Sequence, residues 1–213
     1  MKSPLIAVAL VVAVSTFASA QGAPPPAVRG VIERVAPDRG VIDVKTRGGG
    51  VMDVMTRGGE ERTLRLAPDV VVTRARAASL ADVKPGLFVG VAALPGGDGA
   101  ELKALEVHIF PESMRGVGEG FRPFDLAPQS SMTNGDVTAR VDRVEGARIV
   151  VSYNGGERTI ALDKSTPVVA LEPGGLSDLV AGAAIVARGV AAADGAYEAR
   201  RVVVGVGGVT PPM

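Results

Sequence analysis

The sequence predicts an all-β protein: two tandem small OB-like β-barrel repeats joined by a long irregular connector. Three observations carry this expectation. Short segments rich in β-branched residues recur along the chain, separated by Gly, Pro and Asp turns. The order Glu61-Arg62-Thr63-Leu64, Leu80-Ala81-Asp82, Gly86, Asp98-Gly99 returns as Glu157-Arg158-Thr159-Ile160, Leu176-Ser177-Asp178, Gly182, Asp194-Gly195. Recurrence over this length signals one supersecondary unit used twice. Hydrophobic residues make up 46% of the chain and aromatics only 3%, so the cores must be filled by Val, Leu, Ile and Ala. Closure into a barrel removes the unpaired edges that invite aggregation; a flat open sandwich is the alternative.

Residues 1–20 read as an export signal. Lys2 supplies positive charge, Leu5 to Phe17 is uncharged, and Ala18-Ser19-Ala20 is a small-x-small cleavage pattern. The apolar run is shorter than the roughly 20 residues of a spanning helix; an uncleaved anchor is the competing reading. The mature chain is expected to begin near Gln21, to hold no integral membrane segment, and to reside in the periplasm or outside the cell. Residues 21–27 form a Pro-rich lead-in.

The first unit spans residues 28–110, with strands at Val28 to Val35, Val41 to Thr46, Glu61 to Leu66, Val70 to Thr73, Leu87 to Leu94 and Leu102 to Ile109. Ala77 to Val83 lacks alternation and reads as one helical turn ended by Pro85-Gly86. Asp98-Gly99 is a hairpin signal. Residues 41–60 are a tandem duplication, Val41 to Gly50 followed by Val51 to Glu60. An even insertion keeps the in/out alternation, so either copy offers the same face to its neighbours. The spare copy is expected as a protruding hairpin: a tolerated slippage product, or a new binding finger.

The second unit spans residues 135–205. Its strands are Val137 to Val144, Arg148 to Tyr153, Glu157 to Leu162, Val168 to Leu171, Ala184 to Val190 and Tyr197 to Val204. Asn154-Gly155-Gly156 and Asp194-Gly195 close hairpins, and Leu176 to Leu179 matches the helical turn of the first unit. Residues 206–213 are a tail.

Between the units, residues 111–134 have no repeat partner. A connection this long is a binding loop or a linker. Its middle, Met114 to Asp125, concentrates Arg115, Glu119, Phe121, Arg122, Phe124 and Asp125. Together with Val107-His108-Ile109-Phe110-Pro111-Glu112-Ser113 before it and Gln129-Ser130-Ser131-Met132-Thr133-Asn134 after it, this stretch resembles a family of exported bacterial proteins of unknown function built from OB-like β repeats. The resemblance covers nearly all of the mature chain, through Pro211-Pro212-Met213. Some members of that family are labelled as metal ABC transporter permeases, which implies a multi-span membrane protein; this chain carries no such spans. Similar proteins often have His and Trp where Phe121 and Phe124 stand here, a departure that removes a candidate metal ligand. The family supplies no catalytic residues to carry over.

Composition narrows the chemistry. Lys plus Arg and Asp plus Glu both number 23, so no global field gathers nucleic acid or anionic lipid. Strand aromatics for base or sugar stacking are nearly absent. The lack of cysteine excludes disulfides, thiolate metal sites and cysteine nucleophiles. His108 is the sole histidine, so zinc- or copper-type clusters are excluded within one chain; it reads as a rim or hydrogen-bonded strand residue. No Gly-x-Ser-x-Gly elbow is present. Gly116-Val117-Gly118-Glu119-Gly120 lacks the helix and Lys-Ser/Thr of a phosphate loop. Glu112, Glu119 and Asp125 are the acids that paired-carboxylate chemistry would need, but acids beside arginines usually form structural ion pairs.

The expected function is therefore that of a non-catalytic exported binding or scaffolding protein, without cofactor, acting through protein or cell-envelope contacts. The alternative is a soluble accessory component of metal or solute transport. Arg115 and Arg122 would be anion forks, with Phe121 and Phe124 as apolar anchors beside Glu119 and Asp125. The competing reading places these residues in the seam between the units, the rings filling it and Arg–acid pairs fixing orientation.

Overall fold

The computed structural model describes residues 27–36, 50–97, 101–191 and 196–211. The export signal, most of the lead-in, the first duplication copy up to Gly49, and the Asp98-Gly99 and Asp194-Gly195 turns lie outside them.

Every long element is a strand. β1 (Val28–Ala36), β2 (Gly50–Thr56) and β3 (Glu61–Ala78) form an antiparallel meander. β11 (Ala184–Ala191) pairs with β1, and β12 (Tyr197–Gly205) pairs antiparallel with β11 and parallel with β3. These contacts close a five-stranded barrel, β12-β11-β1-β2-β3. Its interior holds Ile32, Met52, Val54, Leu64, Ile185, Val202 and Val204, all at 0–1% exposure. Each such aliphatic burial stabilises the fold by roughly 1.5–3 kcal/mol, which lets a core poor in aromatics hold.

The remaining strands repeat the pattern. β7 (Ser131–Arg143), β8 (Gly146–Tyr153) and β9 (Gly156–Asp163) form a second meander. β4 (Phe88–Pro95) pairs with β7 and with β5 (Leu102–Ile109), and β5 meets β9 in a short parallel contact at Leu102 and Lys103. Val89, Val91, Val107, Ile149, Val151 and Ile160 fill this second ring. β10 (Val168–Pro173) joins the rings, antiparallel to β3 and parallel to β5.

The sequence expectation of two barrels in tandem, each closing on its own half, differs from these pairings. Each ring takes a three-strand meander from one half of the chain and a two-strand hairpin from the other. The corresponding hairpins carry the same alternation, so pattern alone does not decide which fills which slot. Equivalent joints seat the two hairpins. Ser79 donates its amide and hydroxyl to Asp82 Oδ2 at 2.8 and 2.7 Å, shaping the 3₁₀ turn Leu80–Asp82. Gly86 then donates its amide to the Val137 carbonyl, and Val137 donates to the Leu87 carbonyl, docking β4 on β7. On the return, the 3₁₀ turn Leu176–Asp178 leads to Gly182 and Ala183, which bond both sides of Ile32 on β1.

Two further expectations are corrected. Glu61 to Leu66 and Val70 to Thr73 are one continuous strand; Pro68, which cannot donate to a ladder, sits where the β3–β12 register slips between Leu66 and Val71. The connector is not irregular throughout: it holds a 3₁₀ turn at Glu112–Met114 and β6 (Gly120–Pro123), which pairs with Ser131–Asn134. The second duplication copy lies in the sheet, between β1 and β3.

Candidate functional site

Where β10 bridges the rings, their outer faces turn toward each other. Alternation puts Val71 and Thr73 of β3, Val203 of β12 and Val186 of β11 on the outside of the first barrel. From the second ring, His108 of β5 and Met132 and Asn134 of β7 face the same space. Together they enclose a cleft of about 620 Å³. The connector forms its lip through Met114, Val117, Arg122 and Phe124.

Close packing on the second ring requires a glycine. Gly90 lies between His108 and Asn134 in the sheet. A Cβ there would stand 2.9 Å from Asn134 Oδ1 and 3.0 Å from Phe110 Cε2. Phe110 in turn packs edge-on to Phe88, with ring centroids 5.5 Å apart. The lip turns at Gly118, whose φ of +59° is one that L side chains rarely adopt. That turn presents two carbonyls: Val117 accepts from Asn134 Nδ2 at 3.0 Å and Gly118 from Arg122 Nη1 at 2.6 Å.

The six residues singled out in the connector separate into distinct roles. Arg122 and Phe124 line the cleft. Asp125 stands behind them, its carboxylate accepting from Arg188 at 2.8 Å, Arg29 at 3.1 Å and the Ala27 amide at 3.2 Å. Burial pushes this carboxyl up, but those bonds outweigh it and hold Asp125 well below the usual carboxylate range. Arg188 also covers the Phe124 ring, 5.0 Å from its centroid. Arg115 faces the second ring instead, bonded to Glu112, Asp136 and the Gly86 carbonyl, with its guanidinium over Phe88. Glu119 accepts the Asn154 amide at 2.8 Å, reaching the β8–β9 hairpin. Phe121 is exposed, with Arg158 stacked 4.4 Å from its ring centre. The connector thus ties to the first barrel through Asp125 and to the second ring through Arg115 and Glu119.

Sequence reasoning missed Glu106 and misread His108. Both are 1% exposed, and His108 Nε2 lies 3.1 Å from Glu106 Oε1, yet neither atom has an aligned hydrogen bond. His108 is therefore a fully buried residue of the cleft wall beside Glu106, and not one on a rim. Asn134 Oδ1 likewise lacks a partner. The signal was present in the alternation of Glu106 and His108 on one face of β5, opposite Val107. Arg188 and Arg201, direct cross-strand neighbours on β11 and β12, also line the cleft and were not singled out.

Among the described residues no group of three or more His, Cys, Asp or Glu side chains could hold a metal ion, and no helix is long and apolar enough to cross a membrane. Comparison of the chain with protein-family models, with curated proteins and with solved structures returned no match.

Proposed function

We propose that this chain is a non-catalytic binding protein, exported to the periplasm or beyond by its amino-terminal segment, that takes a small ligand in the cleft between two OB-like barrels. The cleft carries this reading. Its volume of about 620 Å³ lies in the range of small-molecule sites. Its walls are mostly aliphatic, with a few polar groups placed among them, the usual build of such a site.

The strand order supports the OB-like assignment. The first barrel runs β1-β2-β3-β12-β11 with β3 and β12 parallel, and the second β7-β8-β9-β5-β4 with β9 and β5 parallel. A shared order, together with the recurring sequence, favours duplication followed by exchange of hairpins. The connector's bonds to both rings favour its role as a seam that shapes the cleft, with exposed Phe121 left as the residue suited to an envelope partner. Among the described residues no nucleophile is hydrogen-bonded to His108 Nε2, the arrangement that covalent catalysis would use. A role as a soluble accessory component of transport is the second reading, and the small-molecule dimensions of the cleft favour a solute as its cargo.

Binding of the neutral apolar dye Nile red tests the proposal. The wild-type protein should take up the dye with a saturable rise in fluorescence. Val71→Trp should weaken uptake at least about tenfold, because Val71 is 55% exposed on the cleft floor and a larger ring there occupies the space without entering the core. Unchanged uptake by a folded Val71→Trp protein would count against the cleft as the site.

A further inference from the structure

Charge in the cleft is one-sided. Among the described residues Arg122, Arg188 and Arg201 line it and no aspartate or glutamate does; Glu106 is buried instead, its Oε1 3.1 Å from His108 Nε2. Arg188 and Arg201 face each other directly across the β11–β12 ladder, and like charges so placed are destabilising unless something answers them. Asp125 answers Arg188, but the same Oδ1 also receives Arg29. Arg122 is held by the Gly118 carbonyl, and no ion pair to an acid is found for Arg122 or Arg201 among the described residues. Burial, with the nearby Arg188 charge, pushes the Arg122 guanidinium below its ordinary value.

One buried polar atom adds an independent indication. Asn134 is 4% exposed and lines the cleft, yet its Oδ1 has no hydrogen-bond partner. An orphaned acceptor at such depth is costly, and a hydroxyl or protonated oxygen of a ligand could donate to it. The rest of the wall is hydrocarbon: Val71, Val186, Val203, Leu171 and Met132 offer nothing to a polar chain.

Resting on the reading of the cleft as a binding site, we propose that its ligand is an anionic amphiphile: a single aliphatic tail of medium length lying on the valine floor, with a carboxylate or phosphate head held by Arg122 and Arg201. Guanidinium forks match either oxyanion. Arg188, already shared with Asp125, supports the head as a fixed positive neighbour.

Displacement of Nile red by dodecanoate, dodecyl phosphate and dodecanol, each below its micelle-forming concentration, tests this. At least one anion should displace the dye at about tenfold lower concentration than the alcohol. The anion that competes better identifies the head as carboxylate or phosphate. The advantage should shrink to within about threefold in Arg122→Gln and in Arg201→Gln, both exposed positions whose folding circular dichroism can verify. It should also fall in high salt, which screens partly exposed charges. Equal displacement by the alcohol and both anions, or an anion preference that survives both substitutions, overturns the assignment of the head while leaving cleft binding intact. Failure of the wild-type protein to bind the dye at all overturns the cleft as a site, and the ligand class with it.

Discussion

Glu106 and His108 stand two residues apart on β5, with His108 Nε2 3.1 Å from Glu106 Oε1 and both side chains 1% exposed. Both point away from the valine core of their ring, and His108 lines the cleft where the two rings meet. A carboxylate and an imidazole buried side by side depend on one another, since either alone would be a polar group in a dry wall.

Truncating one partner should therefore cost more than the pair is worth. Glu106→Ala and His108→Ala are each expected to lower unfolding stability by about 3 kcal/mol. The double variant should lose less than the sum, with a coupling of about 1–2 kcal/mol. Urea denaturation of the four proteins measures this. Strict additivity would show that the two side chains do not interact.

Asp125 fastens the connector to the first barrel through Arg29 and Arg188. Its folded-state pKa is depressed, so its contribution is fully present above the unfolded value of about 3.9 and is lost as pH falls through the lower folded value. Asp125→Asn should reduce stability by about 1 kcal/mol at neutral pH, the scale of a partly exposed ion pair. The difference from wild type should hold down to about pH 5 and shrink below about pH 4. Melting curves across this range decide it; a difference that grows on acidification would reverse the assigned sign.

The exchange of hairpins makes each half of the chain incomplete. A fragment of residues 27–128 holds β1–β3 without β11 and β12, and β4 and β5 without β7–β9. It would leave long unpaired edges on both pieces. The fragment is expected to show no cooperative thermal transition as a monomer, and to recover one when the complementary fragment is added. A monomeric fragment that melts cooperatively alone would mean that the half closes on itself.

Strands and turns were readable from the sequence because period-2 alternation and glycine turns are local. Val89, Val91 and Val107 point inward as their spacing demands, and Asn154-Gly155 turns the β8–β9 hairpin with Gly155 at φ +107°. Which hairpin fills which ring was not readable, because Phe88–Pro95 and Ala184–Ala191 present equivalent faces and are seated by equivalent joints. The connector's residues were identifiable as unusual, but their roles depend on partners far along the chain. Arg122 meets the cleft, whereas Arg115, a few residues earlier, meets Asp136. Glu106 was passed over because a single acid in a strand looks solvent-facing; in the fold it is 1% exposed.

Deleting Val51 to Glu60 tests how far local pattern suffices. In the folded chain Met52 and Val54 enter the first barrel's core, and the backbone of Val51 to Met55 pairs with both β1 and β3. After the deletion, Val41-Ile42-Asp43-Val44-Lys45-Thr46 would occupy the same register, placing Ile42 and Val44 in the two core positions. Exchange of Met for Ile keeps side-chain volume close to constant, a change that usually costs under about 1.5 kcal/mol. The link back to β1 would become Pro37-Asp38-Arg39-Gly40, a sequence suited to a tight turn because Pro presets φ and Gly accepts positive φ. Shortening the connection also lowers the closure entropy, which offsets part of the core change. The melting temperature is expected to move by less than about 4 °C, the shift that about 1 kcal/mol produces in a domain of this size. Calorimetry reads the result directly. A fall of more than about 10 °C would show that Val51 to Glu60 supplies contacts that Val41 to Gly50 cannot reproduce.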